Sequence, residues 1–438
     1  MAVDRVAEVA FRDALRFWIR LGFINFGGPT GQIAIMHDEL VERRRWIDEP
    51  SFLHALNFAM LLPGPEAHQL AIYVGWLLHG TPGAVVAGLF FLLPALVLIV
   101  GLSWVYVVHG DVALLAGVFD GLSWGVVGIV AAALIRIGGR SLVTPIAWAI
   151  AAVAFVCLFA LGVPFPMVVI GAGVVGFLAK GGVGAAMPAP ADVVVGRPEV
   201  RPTVGRSIRV LAVGLVVWLL PLAAVVAAVG GDGVIVDEAV FFAVMSLVTF
   251  GGAYAVLAYV NQAAVLRFGW LTSGEMAVGL SLAETTPGPL ILVVVFVGFV
   301  AAYRNPGDLG PLVAGVLGAL VTAWATFVPS FLWIFLGAPS VERLRGNRRL
   351  SSALAAITAA VVGVIANLAV VFAIGVLFDE RRVHALGWHD VSLPVVGSAD
   401  PLAIAVAVAS FLALWRLRAN VVWVVLGGGL VGLVRALA

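Results

Sequence analysis

Long apolar runs separated by short polar patches fill this chain, and their lengths set the architecture. A bilayer core about 30 Å thick needs around 20 apolar residues at 1.5 Å rise each. Uninterrupted runs of that kind occupy 83–108, 113–135, 142–162, 208–230, 308–336, 352–377 and 420–437. Shorter runs lie at 164–180 and 401–415, while 52–79 and 276–303 are long and each contains Pro-Gly-Pro. Two further segments, 15–35 and 239–260, carry Gly-Gly at their centres. These 13 segments predict an all-α polytopic membrane protein, with helices broken at Pro-Gly-Pro.

The two halves of the chain match each other. Phe26-Gly27-Gly28 recurs as Phe250-Gly251-Gly252, Arg43 and Trp46 recur as Arg267 and Trp270, and Pro63-Gly64-Pro65 recurs as Pro287-Gly288-Pro289. Every pair differs by 224. Without a gap, 26–65 and 250–289 share 12 of 40 positions, Ala34, Val41, Leu56 and Ala59 completing the set. Internal repeats of this kind define many carrier folds. If every segment crosses, seven crossings separate a Gly-Gly segment from its copy, and an odd number inverts the second copy. The helix at 208–230 supplies the odd crossing, so a 6 + 1 + 6 inverted repeat is expected. Its domains are 1–180 and 237–438, joined by a linker and connecting helix over 181–236. The Pro- and Arg-rich stretch from Lys180 to Arg209 reads as that exposed linker.

Composition narrows the class. The 438 residues are 62% hydrophobic and 11% charged, against about a quarter charged in a soluble globule. Mean hydropathy is +1.12. Soluble enzymes, nucleic-acid binders and disulfide scaffolds are set aside; Cys157 is alone and excludes an intrachain disulfide. Residues 1–10 lack the apolar stretch of a cleavable signal, so insertion through the chain's own helices is expected. Net charge is +1, from 25 Lys+Arg and 24 Asp+Glu, so the placement of the charges matters more than their sum. Sorted by the 13-segment topology, 15 basic residues fall in loops on the N-terminal side and 7 on the other. Arg12, Arg16 and Arg20 form one face of the first helix. The positive-inside rule then puts the N-terminus in the cytoplasm. Arg43, Arg44 and Arg45 fall on the opposite side, either because the early segments are re-entrant or because these arginines serve an aqueous vestibule.

The breaks are the first candidate site. In hydrocarbon, backbone polar groups must be paired, so a helix stops at membrane depth only where protein or trapped water satisfies its ends. Pro63 removes a donor, Gly64 permits positive φ, and Pro65 suits the start of a new helix over 66–79. Such a helix start presents N–H groups and a positive dipole end, which bind anions. Thr285, Thr286, Pro287, Gly288 and Pro289 repeat the device and add two hydroxyls. Gly27, Gly28, Gly251 and Gly252 allow close backbone approach, for a ligand or for helix packing. Taken singly, a Pro-Gly-Pro is more often a kink than a site; two copies in register with Gly-Gly and Trp favour a site.

Ionisable residues at membrane depth are the second signal. Glu66 follows the first break and reads either as a structural cap or as a proton carrier; Glu284 precedes the second and has the same proton-coupling role open to it. Asp120 is a third candidate. Arg43 offers electrostatic attraction to an anion, although Glu39 and Glu42 also neutralise its surroundings. The Arg12, Arg16 and Arg20 stripe reads as interface snorkelling. His54, His68 and His79 lack metal-site spacing, so no metal is expected. No phosphate-binding loop, dinucleotide turn or nucleophile elbow is present, so neither a cofactor nor enzymatic chemistry is expected.

The passages Phe26–Ala34, Val41–Ile47 and Leu56–Ala67, with Thr249–Tyr254 and Thr285–Pro289, closely resemble the chromate ion transporter family, in its long two-domain form. The resemblance implies an inner-membrane carrier exporting chromate from the bacterial cytoplasm, driven by the proton-motive force and conferring chromate resistance. Chromate and sulfate are both tetrahedral dianions, so sulfate or another oxyanion is the alternative substrate. A membrane-embedded lipid-handling protein is the reading from another class. Expected partners are the anion and the bilayer, with no nucleic acid, and a homodimer stays open.

Overall fold

The computed structural model describes residues 9–179, 203–250, 252–337, 348–386 and 389–438. The described residues are helical almost throughout. In the first repeat α1 (Phe11–Ile24), α2 (Gly28–His37) and α3 (Glu49–Ala59) are followed by α4 (Glu66–His109), α5 (Ala113–Ser141), α6 (Pro145–Phe159) and α7 (Phe165–Leu178). Then come α8 (Val204–Ala228), α9 (Val234–Val248), α10 (Ala253–Asn261), α11 (Ser273–Thr285), α12 (Val293–Arg304) and α13 (Pro311–Gly337). The C-terminal part holds α14 (Arg348–Leu377), α15 (Pro401–Trp415) and α16 (Val421–Leu437). Five of the described helices, α4, α5, α8, α13 and α14, are long and apolar enough to cross a membrane.

Neither Gly-Gly segment is one continuous span. Between α1 and α2 the helix is interrupted at Asn25–Gly27, and α2 runs into a π-helical segment, Asp38–Arg43. The second copy does the same: α9 stops before Thr249, and α10 runs into a π-helical segment at Gln262–Arg267. At 9 to 13 residues, none of α2, α3, α10 and α11 reaches across a core about 30 Å thick by itself. The repeated Trp has a local reason. Trp46 N–H donates to Leu40 O at 2.8 Å and Trp270 N–H to Ala264 O at 2.7 Å, closing each π segment. The next shared feature is positive φ, at Arg45 (53°) and at its counterpart Gly269 (64°).

The long helix α4 bends where sequence places a boundary. His79 and Gly80 leave helical geometry, with Gly80 at φ 65°, so the part after the first break, 66–78, is a helix of its own direction. Its counterpart in the second copy is a 3-10 turn at Leu290–Leu292 continuing as α12. A two-stranded antiparallel hairpin, β1 (Arg381–Leu386) with β2 (His389–Pro394), pairs Arg381 with Pro394 in the loop between α14 and α15. That small sheet lies outside the all-helical expectation and outside the apolar runs. Most of the Pro-rich linker, 180–202, lies outside the described residues.

Two compact units emerge. The first comprises residues within 1–101, 188–253 and 286–346, the second those within 102–187, 254–285 and 347–438. In the first, the core gathers Trp18, Phe52, Phe58, Tyr73 and Phe91, all at most 1% exposed. Next to it, α12 meets α13 through Gly298 and Gly318: a Cβ on Gly318 would stand 2.5 Å from the Gly298 carbonyl. In the second unit α5 meets α16 the same way, where a Cβ on Gly121 would come within 2.1 Å of Gly428 O. Without a hydrophobic drive between helices in lipid, such close small-residue contacts hold a bundle together.

A candidate anion site at the paired helix breaks

Each helix break is closed by the other repeat. Pro63 and Pro65 carry no N–H, and Gly64 between them takes φ 114°, a region that favours glycine. Its N–H donates to the carbonyl of Thr249 at 3.2 Å. In the second copy Gly288 takes φ 123°, and its N–H donates to the carbonyl of Asn25 at 2.8 Å. Since 288 − 64 and 249 − 25 both equal 224, one hydrogen bond is made twice and exchanged between the repeats. Asn25 and Thr249 end α1 and α9, so the exchanged bonds also satisfy C-terminal carbonyls that a helix leaves unpaired. All four residues belong to the first unit.

Polar side chains surround the first break. Glu66 opens α4, and a Cβ on Gly252, at φ 86°, would stand 3.1 Å from its Oε1. Its Oε2 is buried with no hydrogen-bond partner among the described residues. Gln69, one turn on, donates Nε2–H to Pro63 O at 2.6 Å, and its Oε1 is likewise unpartnered. The hydroxyl of Ser330, from α13, is 3.4 Å from where a Cβ on Gly64 would be. These groups, with the positive end of α4, bring several polar atoms together at the first break.

The second break has a different lining. Gln32 is fully buried; its Nε2–H donates to Gly288 O and, at 3.5 Å, to Asn25 O. The Asn25 side chain is also fully buried, and neither its Oδ1 nor its Nδ2 has a partner among the described residues. A buried amide without a partner loses a few kcal/mol relative to water, so its donor is available to a polar guest. The lining is unequal between copies. Positions 32, 66 and 69 hold Gln, Glu and Gln, whereas 256, 290 and 293 hold Val, Leu and Val. The backbone device is thus duplicated, while the Gln and Glu side chains at these positions belong to the first repeat.

The remaining sequence candidates distribute as follows. Gly27 (φ 92°) and Gly28 (φ 64°) start α2, and Gly251 lies outside the described residues. Pro287 and Pro289 bracket Gly288, and Thr286 is buried beside them. The Thr285 hydroxyl is already committed, donating to Ser281 O at 2.9 Å and Leu282 O at 3.1 Å. Glu284 is buried in the second unit and accepts from the Tyr254 hydroxyl at 3.0 Å, with Arg136 as the cation acting on it. Arg43 is exposed and paired, 2.9 Å from Asp38 and 3.2 Å from Glu39. Arg44 pairs with Glu39 and lies over the Phe17 and Trp46 rings. Arg43 therefore balances charge where its π segment ends, whereas Arg267 lies over the Phe268 ring. Asp120 is exposed. His68 is buried against Phe91, Phe327 and Phe331 and hydrogen-bonds Gly88 O at 3.2 Å, tying the two parts of α4 together. His37, Glu42 and Glu49 come within 4.8 Å of one another at the surface, where His37 and Glu49 pair with each other.

Several groups in or near the site carry no mark in the sequence. Gln32 and Gln69 stand out only once their carbonyl partners are known. Glu238 of α9 is fully buried, its two oxygens lack partners among the described residues, and its Oε2 is 2.8 Å from the Cβ position of Gly318. The signal available for it was a carboxyl at the edge of an apolar run.

Known proteins resemble this chain over most of its length. The profile of the chromate transporter family matches residues 12–177 and 237–433. The chromate transport protein of Pseudomonas aeruginosa is 31% identical over 418 residues, covering 95% of this chain and 90% of that protein. The probable chromate transport protein of Synechococcus elongatus is 27% identical, covering 93% and 96%. The chromate transport protein of Cupriavidus metallidurans is 26% identical, covering 85% of each. No solved structure is significantly similar to the chain. With its helical, multi-pass architecture and a match over most of its length, the chain belongs to the chromate transporter family.

Proposed function

We propose that the protein is a secondary carrier that moves chromate out of the bacterial cytoplasm across the inner membrane, with Glu66 coupling the anion to a proton. The observation that carries this reading is the exchanged pair of hydrogen bonds. It satisfies the backbone at both breaks while leaving the Asn25 side-chain amide, the Ser330 hydroxyl and the start of α4 near them. Amide and hydroxyl donors at a helix N-terminus suit a tetrahedral dianion. The excess of basic residues on the N-terminal side supports a cytoplasmic N-terminus.

The energetics favour export. Moving one charge through 100 mV is worth about 2.3 kcal/mol; a dianion leaving together with one proton carries one net negative charge, so a membrane potential negative inside drives the pair outward with about that much. Glu66 adds a switch. An ionised carboxylate beside a dianion repels it, whereas a protonated one donates a hydrogen bond, so proton and anion favour each other's binding. Acid on the loading side then tightens the hold on the anion, and ionisation of Glu66 on the far side loosens it. Glu284, which accepts from the Tyr254 hydroxyl, supports a second protonation site. Arg43, balanced by Asp38 and Glu39, serves the fold of the α2–α3 hairpin more than the anion.

Uptake of labelled chromate into inverted membrane vesicles tests the proposal. The outer pH is varied only above neutrality, where chromate and the competitor sulfate both stay dianions, so that titration of the substrate does not confuse the result. Uptake above empty vesicles is expected, inhibited by sulfate and rising as the outer pH falls toward neutrality. Glu66→Gln should keep the inhibition by sulfate but lose the pH dependence of uptake. Uptake equal to that of empty vesicles removes the carrier reading; an unchanged pH dependence in Glu66→Gln removes the coupling role.

A further inference from the structure

The first unit holds a second feature that the anion path does not use. A groove of about 780 Å³ runs between the second part of α4, α8 and α13. Its walls are almost wholly apolar, formed by side chains such as Leu89, Leu93, Val213, Val217, Trp324 and Phe331. On α8 the lining positions are Arg206, Arg209, Val210, Val213, Gly214 and Val217. They are spaced three or four residues apart along one helical face, which carries the groove roughly 17 Å at 1.5 Å per residue.

One end differs from the rest. Arg206 and Arg209 stand one turn apart on α8, and no acidic side chain among the described residues lines the groove. Arg206 is half-buried, and its Nη2–H donates to Phe335 O at 3.2 Å. That bond fixes the guanidinium at the lip, next to the last turn of α13, and leaves most of its five N–H donors for another acceptor. Arg209 is exposed beside it. A long apolar trough ending in two guanidinium groups with no acidic partner among the described residues is complementary to a molecule with a hydrocarbon body and an anionic oxygen head. Arginine suits phosphate because its planar fork offers paired donors. Val213 and Leu89 are 56% and 49% exposed, so a chain can enter sideways from the bilayer.

We propose that this groove is a binding site for an anionic phospholipid, with the phosphate on Arg206 and Arg209 and an acyl chain along α8. Helix α8 lies outside the duplicated segments, so the site occurs once per chain and breaks the symmetry of the repeats. Its walls include α13, which also supplies Ser330 to the break; a lipid seated there braces the helix that carries this hydroxyl.

The test uses the full-length protein in phosphatidylcholine vesicles containing a photo-crosslinkable phosphatidylglycerol. Labelling of α8 and α13 peptides is measured against unlabelled phosphatidylglycerol, phosphatidylcholine or soluble glycerol phosphate. Phosphatidylglycerol should compete best and glycerol phosphate not at all. Arg206→Gln and Arg209→Gln should each weaken the preference for phosphatidylglycerol about fivefold. Val213→Trp, which keeps both arginines and fills the trough from an exposed position, should reduce labelling whatever the headgroup. Equal competition by the two lipids, full competition by glycerol phosphate, or an undiminished preference in the double arginine variant overturns the proposal.

Discussion

The two glycines at the breaks are related by the repeat yet should not tolerate a methyl group equally. Both hold positive φ, 114° at Gly64 and 123° at Gly288, and forcing alanine into such a conformation costs about 1–3 kcal/mol. At Gly64 the added Cβ would meet the Gln69 Nε2 at 2.9 Å. That amide is the far end of a flexible chain and can swing away, giving up its bond to Pro63 O, a loss of about 0.5–1.5 kcal/mol. At Gly288 the Cβ would stand 2.6 Å from the Ala95 Cβ and 2.8 Å from Leu292 Cδ1. Carbon atoms rest at about 3.5–4.0 Å, and the Ala95 methyl cannot move without its helix, so overpacking adds about 1–3 kcal/mol. The single costs overlap, and a double-mutant cycle separates them. Ala95→Gly removes the opposing methyl, at a helix cost of about 1 kcal/mol. Combined with Gly288→Ala it should recover at least about 1 kcal/mol of coupling, while combined with Gly64→Ala it should add within about 0.5 kcal/mol. Unfolding in detergent micelles followed by tryptophan fluorescence measures all six proteins, and chromate uptake by the same variants shows whether the breaks serve transport. Equal coupling in the two cycles would refute the close packing of Gly288 against α4, and normal uptake by both alanine variants would refute the breaks as the anion site.

Two further outcomes follow from local geometry. Arg45 holds φ 53° where the second repeat has Gly269; Arg45→Gly relieves about 1–2 kcal/mol of left-handed strain against a smaller rise in unfolded-state entropy, so a net gain of about 0.5–1 kcal/mol in unfolding free energy is expected, and a loss would contradict it. Asp400 caps α15, accepting from the amides of Leu402 at 2.9 Å and Ala403 at 3.2 Å, and pairs with Arg435. Desolvation pushes its carboxyl up, but Arg435 and the two amides outweigh that and hold it below the usual carboxylate range. Its contribution is therefore present above the unfolded value of about 3.9 and is lost as pH falls through the lower folded value. Asp400→Ala should lower stability by about 1–2 kcal/mol near neutrality, a gap that closes below about pH 4; a gap constant down to pH 2 would show that the charge contributes nothing.

The membrane class, the duplication and the location of the breaks were legible in the chain itself. They rest on properties that act along the backbone: the length of apolar runs, the missing N–H of Pro63, Pro65, Pro287 and Pro289, and the tolerance of glycine for positive φ. The same local logic made Glu66 visible, because a carboxyl beside a helix start is unusual at membrane depth. Arg43 illustrates where local reading ends. Its sequence context suggested attraction to an anion and its recurrence as Arg267 marked the repeat, but the repeated Arg and Trp also sit at the end of a π-helical segment, and a π turn leaves no periodic trace in six residues.

Partnership across the fold was decided by tertiary structure alone. No property of Asn25 or Thr249 announces that its carbonyl will accept from a glycine in the other repeat, since that bond depends on how segments more than 180 positions apart come together. Gln32, Gln69 and Glu238 are unremarkable by composition and become informative through burial, which a side chain acquires only from its neighbours. The groove along α8 is of the same kind: each of its residues is an ordinary apolar or basic position, and the trough exists because three helices leave space between them. Sequence specifies which groups must find partners, because an unpaired polar group in a dry interior is costly; packing specifies which partners they find.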